Sequence, residues 1–244
     1  MPTFKLTLEY DGTAYAGWQR QPDQPTVQAA LESAFHHITQ TNTPVIGAGR
    51  TDSGVHALGQ VASFRSDRAM TADEWTRALN ALLPADISAR STEQVADGFN
   101  ARRWAQSKLY EYRILNRRPR AALERQRAWH IWGELYVQHM REGAALLMGQ
   151  HDFSSFEGPQ AGTDKKVCDL RRLDIIQDGD ILTIQIEADR FLKQMVRAIV
   201  GTLVEVGQGK RLPHAMKDIL EARDRRAAGY TAPPHGLYLV RVDY

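Results

Sequence analysis

The sequence predicts an α+β fold of two ferredoxin-like halves, joined into one broad antiparallel sheet with helices on one face and a cleft on the other. Three observations predict it. The order strand, helix, strand, strand, helix, strand is legible over residues 3–95 and recurs over residues 108–242, which is the split β-α-β pattern. The chain has 244 residues, a length that suits one large domain or two small ones. Residues 3–10 alternate apolar and polar, as in a sheet with one covered face. No residue-level repeat relates the halves, so element order carries the inference. The expected division is 1–103, which holds the loop of the candidate acid, and 104–244.

The first strand sets Phe4, Leu6, Leu8 and Tyr10 against Lys5, Thr7 and Glu9. Asp11-Gly12 marks a turn. Over 26–39, Val27, Ala30, Leu31, Ala34, Phe35 and Ile38 recur at helical spacing. Short strands near 45–46 and 60–64 flank a glycine-rich loop. Thr71 with Glu74 reads as the capping box of a helix over 72–83 that Pro84 stops. A strand over 87–95 closes this half. Downstream, a strand over 108–115 precedes a helix over 136–148, with Val137, Met140, Ala144 and Leu147 on one face. Strands over 167–176 and 181–188 are joined through Gln177-Asp178-Gly179-Asp180, a tight turn. A long helix over 191–206, a short one opened by Pro213, and a strand over 237–242 complete the chain.

Composition narrows the class. Hydrophobic content of 43% and charged content of 25% are those of a folded globular chain. No stretch reaches the roughly 18 apolar residues of a membrane span, and residues 1–10 lack the apolar block of a signal peptide. The single cysteine, Cys168, excludes an internal disulfide and points to a reducing, cytoplasmic setting. Net charge is only +2, but residues 101–130 hold nine basic side chains against two acidic ones. Such a stretch suits phosphates and equally suits a solvated basic surface.

Several chemistries lack their motifs. Without a Cys-x-x-Cys pair there is no zinc deaminase site. His36 and His37 are adjacent on a helix and point apart, a poor metal pair. No loop of the Gly-x-x-x-x-Gly-Lys type is present, and Gly47-x-Gly49 precedes a strand rather than a helix. What remains is the loop Gly47-Ala48-Gly49-Arg50-Thr51-Asp52-Ser53-Gly54-Val55-His56. Its glycines allow tight bends and close approach to a ligand, and it places Arg50 two residues from Asp52. Asp-Ser-Gly is also a common turn sequence, so the loop alone leaves both readings open. Arg197 lies at the edge of the apolar face formed by Leu192, Met195, Val196, Ile199, Val200 and Leu203, with Gly201 leaving room beside it. A cation there either takes an acidic partner, which would keep Asp52 ionised, or reaches solvent. Tyr110 either stacks on a splayed base or packs in the core beside Tyr112.

Tyr10-Asp11-Gly12-Thr13, Gly17-Trp18-Gln19-Arg20-Gln21, the string Ala48 to His56, Phe99-Asn100-Ala101-Arg102, Asp152-Phe153-Ser154-Ser155-Phe156, Met195-Val196-Arg197-Ala198-Ile199-Val200-Gly201 and Gly236-Leu237-Tyr238-Leu239-Val240 occur in this order across nearly the whole chain. Together they resemble the bacterial tRNA pseudouridine synthase A family (TruA). The resemblance implies the pseudouridine synthase fold and isomerisation of uridine at positions 38, 39 and 40 of the tRNA anticodon stem-loop. It implies Asp52 as the catalytic aspartate, Arg50 assisting extrusion of the nucleotide, Tyr110 beneath the uracil, Arg197 as the basic partner of Asp52, and Leu237 lining the pocket. It also implies a homodimer in which each tRNA touches both subunits, with no cofactor and no metal. Two departures stand out. Residues 160–169 lack an arginine- and proline-rich form found in some relatives, and residue 198 is Ala where Asn is frequent.

Two other classes remain in view. A silent RNA-binding module would need the basic stretch and its aromatics but not Arg50, Asp52 and Arg197 as a set. A carboxylate hydrolase would need a second acid or a metal cluster, and no such spacing is visible.

Overall fold

The computed structural model describes residues 1–159 and 164–244. Residues 160–163, part of the 160–169 segment singled out above, lie outside the described residues. In chain order the strands are β1 (Thr3–Tyr10), β2 (Ile46–Gly47), β3 (His56–Arg65), β4 (Ile87–Val95), β5 (Ser107–Asn116), β6 (Trp129–Ile131), β7 (Gly149–Asp152), β8 (Val167–Asp178), β9 (Ile181–Ala188) and β10 (Leu237–Asp243). The helices are α1 (Val27–Thr39), α2 (Ala72–Asn80), α3 (Val137–Ala145), α4 (Met195–Gly207) and α5 (Ala215–Ala222). The chain forms two compact units, Met1–Gln106 with Tyr238–Tyr244, and Ser107–Leu237. The last strand therefore belongs with the first unit.

In that unit the strand order is β4-β1-β3, and β2 and β10 share the far edge of β3. β2 pairs antiparallel at Ala62 and Ser63, whereas β10 pairs parallel at His56 and Ala57. The apolar residues of β1 are all buried, as their alternation predicts. Phe4 stacks on Phe64 at 5.1 Å, and Phe35 of α1 and Trp75 of α2 close on Phe64 at 4.4 and 5.2 Å. Burying such aromatic surface is worth about 1.5–3 kcal/mol per side chain, enough to hold both helices on this face. The capping box forms: Glu74 N–H donates to Thr71 Oγ1 at 3.3 Å and Thr71 N–H to Glu74 Oε2 at 2.7 Å. α2 ends at Asn80 rather than 83. The Asn80 side chain bonds both the amide and the carbonyl of Ala89 at 2.8 Å, tying the helix end to β4.

In the second unit the order is β5-β9-β8-β7, with β6 parallel on β5. The turn at Gly179 has φ +55°, and β8 and β9 pair across it from Asp178 and Ile181 onward. Tyr112, Ile114, Ile184 and Ile186 of the sheet are buried, as are Met140 and Leu147 in and after α3 and Ile199 and Leu203 of α4. α4 departs from its predicted form in two ways. It starts at Met195 rather than 191, because Gln194 sits at φ +58°, outside the helical region. Only Arg197 and Glu205 of its residues escape full burial, so it is covered almost all round instead of on one face. The room predicted beside Gly201 is filled by the Tyr230 carbonyl, which an added Cβ would strike. β6 and β7 were not foreseen; Trp-His-Ile and Gly-Gln-His-Asp are too short to show periodicity.

Candidate active site

The loop between β2 and β3 is suspended from its neighbours at almost every residue. Ala48 N–H donates to Val61 O at 2.7 Å. The Gln60 side-chain amide, buried in the middle of β3, donates to Gly49 O at 2.9 Å. Thr51 Oγ1 and the buried Tyr10 hydroxyl lie 2.8 Å apart. Burial pushes the Tyr10 phenol up to about 12, so it stays neutral at physiological pH. Val55 N–H returns to Asp52 O at 3.2 Å, closing a turn whose third residue, Gly54, has φ +75°. That conformation is the one a type II turn reserves for glycine. The turn reading of Asp-Ser-Gly is thus realised, and the turn presents Asp52 half-buried beside an exposed Arg50.

Residues 12–18 hold this loop from the other side. Trp18 N–H donates to Thr51 O at 3.1 Å, and Tyr15 O accepts from Gly54 N–H at 3.2 Å and from Ser53 Oγ at 3.3 Å. The same segment caps α1. Val27 and Gln28 N–H donate to the carbonyls of Gly17 and Trp18 at 3.2 and 3.0 Å, and Ala29 N–H to Thr26 Oγ1 at 3.3 Å. Helix N-termini leave such donors unpaired; here they anchor the chain that carries the acid's loop. Gly17, at φ +102°, lies so close that a Cβ would sit 2.6 Å from Thr51 O. His56 ends the loop. Its Nδ1 accepts from Gly12 N–H at 3.0 Å and lies 3.1 Å from Asp11 Oδ1, and its ring stacks on Tyr238 at 4.8 Å. Accepting at Nδ1 places the proton of the neutral ring on Nε2; a protonated ring would instead pair with Asp11.

Tyr110, Arg197 and Leu237 belong to the second unit. Tyr110 pairs with Ile186 across β5 and β9 and meets the edge of Phe191 at 5.0 Å and 83°. It is 8% exposed, while Tyr112 on the same face is wholly buried, with its hydroxyl donating to Pro233 O at 2.8 Å. Burial raises the Tyr112 phenol further than the Arg197 charge lowers it. Tyr112 is core, and Tyr110 sits closer to the surface. Arg197 is half-buried, with Nε donating to Ala232 O at 2.8 Å. Leu237 is buried.

The basic stretch is less uniform than its count. Arg113 pairs with Glu111 at 2.7 Å and Arg117 with Asp180 at 3.4 Å. Arg102 and Arg103 are exposed in the first unit, and Arg118, Arg120, Arg125 and Arg127 in the second. Cys168 is buried and its thiol is pushed up to about 12, foremost by that burial, so it is no nucleophile at neutral pH. Among the described residues no three His, Cys, Asp or Glu side chains group as a metal site. Sequence reasoning missed the supporting residues Tyr10, Gln60 and Trp18. Gln60 alone carried a signal, as a polar residue among apolar neighbours in a strand.

The model of the family described as tRNA pseudouridine synthase matches residues 7–102 and 144–244. A tRNA pseudouridine synthase A of Myxococcus xanthus is 44% identical over all of this chain and 92% of its own. One from Afipia carboxidovorans is 46% identical over the whole of both chains. A tRNA pseudouridine synthase A 2 of Clostridium perfringens is 41% identical, again over the whole of both. The solved Cbf5–Nop10–Gar1 complex overlaps 96% of this chain and 57% of its own at TM-score 0.35 and 12% identity, too low for any argument.

Proposed function

Since this chain belongs to the tRNA pseudouridine synthase A family and is an isomerase of tRNA uridines, we propose that it acts at positions 38, 39 and 40 of the anticodon stem-loop with Asp52 as its catalytic carboxylate. The observation that carries the assignment is the suspension of the Asp52 loop. A half-buried acid held by β3, by residues 12–18 and by the N-terminus of α1 is a group kept at a fixed position, which catalysis requires.

The reaction breaks the N1–C1′ bond, turns the uracil and forms a C5–C1′ bond. The C5 proton is released and N1 takes one up, so atoms balance and no electrons are exchanged; the chemistry needs no cofactor. A paired base must first leave its stack, at about a few kcal/mol. Arg50, exposed on the loop, fills the gap and holds nearby phosphates. Tyr110 stacks on the extruded ring, and Leu237 lines the pocket. Arg197 acts as the basic partner of Asp52 in the reaction. The Asp52 carboxylate then serves as nucleophile or base at the reacting nucleoside. The exposed arginines of residues 101–130 supply salt-sensitive phosphate affinity. The protein works in the cytoplasm as a homodimer, with each tRNA touching both subunits.

Asp52→Asn tests the assignment. The carboxamide keeps the shape and loses the charge, so pseudouridine formation in tRNA should vanish while tRNA binding stays near wild type. Near-normal pseudouridine formation by this variant would sink the proposal. Mapping the modified positions in wild-type product tests the choice of 38, 39 and 40. Uracil released from an abasic product would favour a hydrolase instead.

A further inference from the structure

One stripe of α4 faces a strap of chain. Arg197, Gly201 and Glu205 recur every four residues and so share a face, with Thr202 beside Gly201. Residues 229–232 lie along that stripe. Ala232 N–H donates to Arg197 O at 3.0 Å, and Arg197 Nε donates back to Ala232 O at 2.8 Å. The Tyr230 carbonyl occupies the space above Gly201. Thr202, fully buried, accepts from Gly229 N–H at 3.0 Å while its hydroxyl donates to Ala198 O at 2.8 Å. Glu205 Oε1 accepts from Tyr230 N–H at 3.3 Å, and its other oxygen takes Arg211 Nε at 2.6 Å. From the outer side, Arg225 bonds Gly229 O at 2.8 Å and Thr231 Oγ1 at 2.9 Å.

A guanidinium is a rigid planar fork, so fixing the direction of Nε–H fixes where its Nη groups point. The Ala232 carbonyl sets that direction for Arg197, and the strap sets the Ala232 carbonyl. We propose that Thr202 and Glu205 are positioning residues for Arg197, holding residues 229–232 against α4 so that the Ala232 carbonyl aims the guanidinium. The inference rests on the assignment of Arg197 to the reaction. Thr202 serves it with both functions of its hydroxyl, which a merely space-filling residue would not need.

Thr202→Val keeps the volume and removes both hydrogen bonds. With saturating tRNA its kcat should fall by about 10- to 100-fold, the range expected when a catalytic group shifts by about 1 Å. Its Kd for tRNA should stay within about twofold of wild type, and Thr202→Ser should recover the lost rate. In 15N-arginine-labelled protein, the Nε–H signal of Arg197, assigned by its absence in Arg197→Lys, should be slow to exchange in wild type and Thr202→Ser and fast in Thr202→Val. Combined with Arg197→Lys, Thr202→Val should add no further loss. Glu205→Met, which removes the acceptor for Tyr230 N–H at a less buried position, should show the same pattern and carries the test where Thr202→Val does not fold. A wild-type kcat in Thr202→Val or Glu205→Met beside a slow Arg197→Lys overturns the positioning role. So does a double variant slower by the full product of the two losses. A wild-type kcat in Arg197→Lys overturns the Arg197 assignment and the proposal with it, and the exchange measurement then still shows whether the strap holds the side chain.

Discussion

Gly17→Ala should cost both stability and turnover, and the structure sets the scale of each. Gly17 has φ +102°, where an L side chain is strained by about 1–3 kcal/mol. Its new Cβ would lie 2.6 Å from Thr51 O and 3.1 Å from the Asp52 carbonyl carbon. Thr51 is itself tied to Trp18 N–H and to Tyr10, so relief requires moving the loop. Forcing an extra carbon into such packing costs about 1–3 kcal/mol more, for a sum on the order of 2–6 kcal/mol. Restoring ordinary packing distance shifts the Thr51 carbonyl by roughly 0.8 Å and carries the adjoining Asp52 with it, a displacement that lowers kcat by up to about 100-fold. Urea unfolding reads the first effect, and single-turnover pseudouridine formation at saturating tRNA reads the second. Gly98→Ala is the control: its φ is +86°, yet among the described residues no atom lies within 4 Å of the added carbon. It should show the strain and leave the rate untouched. If Gly17→Ala matches Gly98→Ala in both measurements, the close approach of residues 12–18 to the loop is not what holds Asp52. Lost stability with a wild-type rate would refute the coupling to catalysis.

Tyr10 supplies a pH dependence. Its folded pKa is raised from 10.0 to about 12, so its contribution is fully present below pH 10 and is lost as pH rises through 12, by up to about 3 kcal/mol. The stability difference between wild type and Tyr10→Phe should be flat below pH 10 and shrink above it; a flat difference to pH 12 refutes the burial. Thr26→Ala removes the N-cap of α1 and should cost about 1 kcal/mol in urea unfolding, whereas an unchanged midpoint would show that the Gly17 and Trp18 carbonyls suffice. Replacing Arg118, Arg120 and Arg125 with Gln should reduce the slope of log Kd for tRNA against log salt by roughly 0.7–0.9 for each phosphate these side chains neutralise. An unchanged slope would remove this stretch from the RNA-binding surface.

Much of the fold was legible because local physics wrote it. The alternation of β1, the capping box at Thr71 and the Gly179 turn depend on residues a few positions apart, and each forms as expected. Predicted limits failed where a distant partner intervened. Asn80 ends α2 by bonding Ala89, and the strap along α4 buries a face that its own periodicity does not mark. β10 is readable as a strand, but not its pairing with β3. Tyr110 and Tyr112 are equivalent in a strand two residues apart, and only packing buries one completely.

Asp52 shows the same division. Its turn and its neighbour Arg50 follow from Asp-Ser-Gly and from glycine's freedom at φ +75°, which the sequence by itself determines. That the turn is held still was decided by tertiary structure alone. The restraints come from Tyr10, Tyr15, Gly17, Trp18 and Gln60, most of them more than 30 positions away in the chain. Hydrogen bonds and close approaches over such separations exist only once the sheet and α1 have brought the segments together, so no local pattern encodes them.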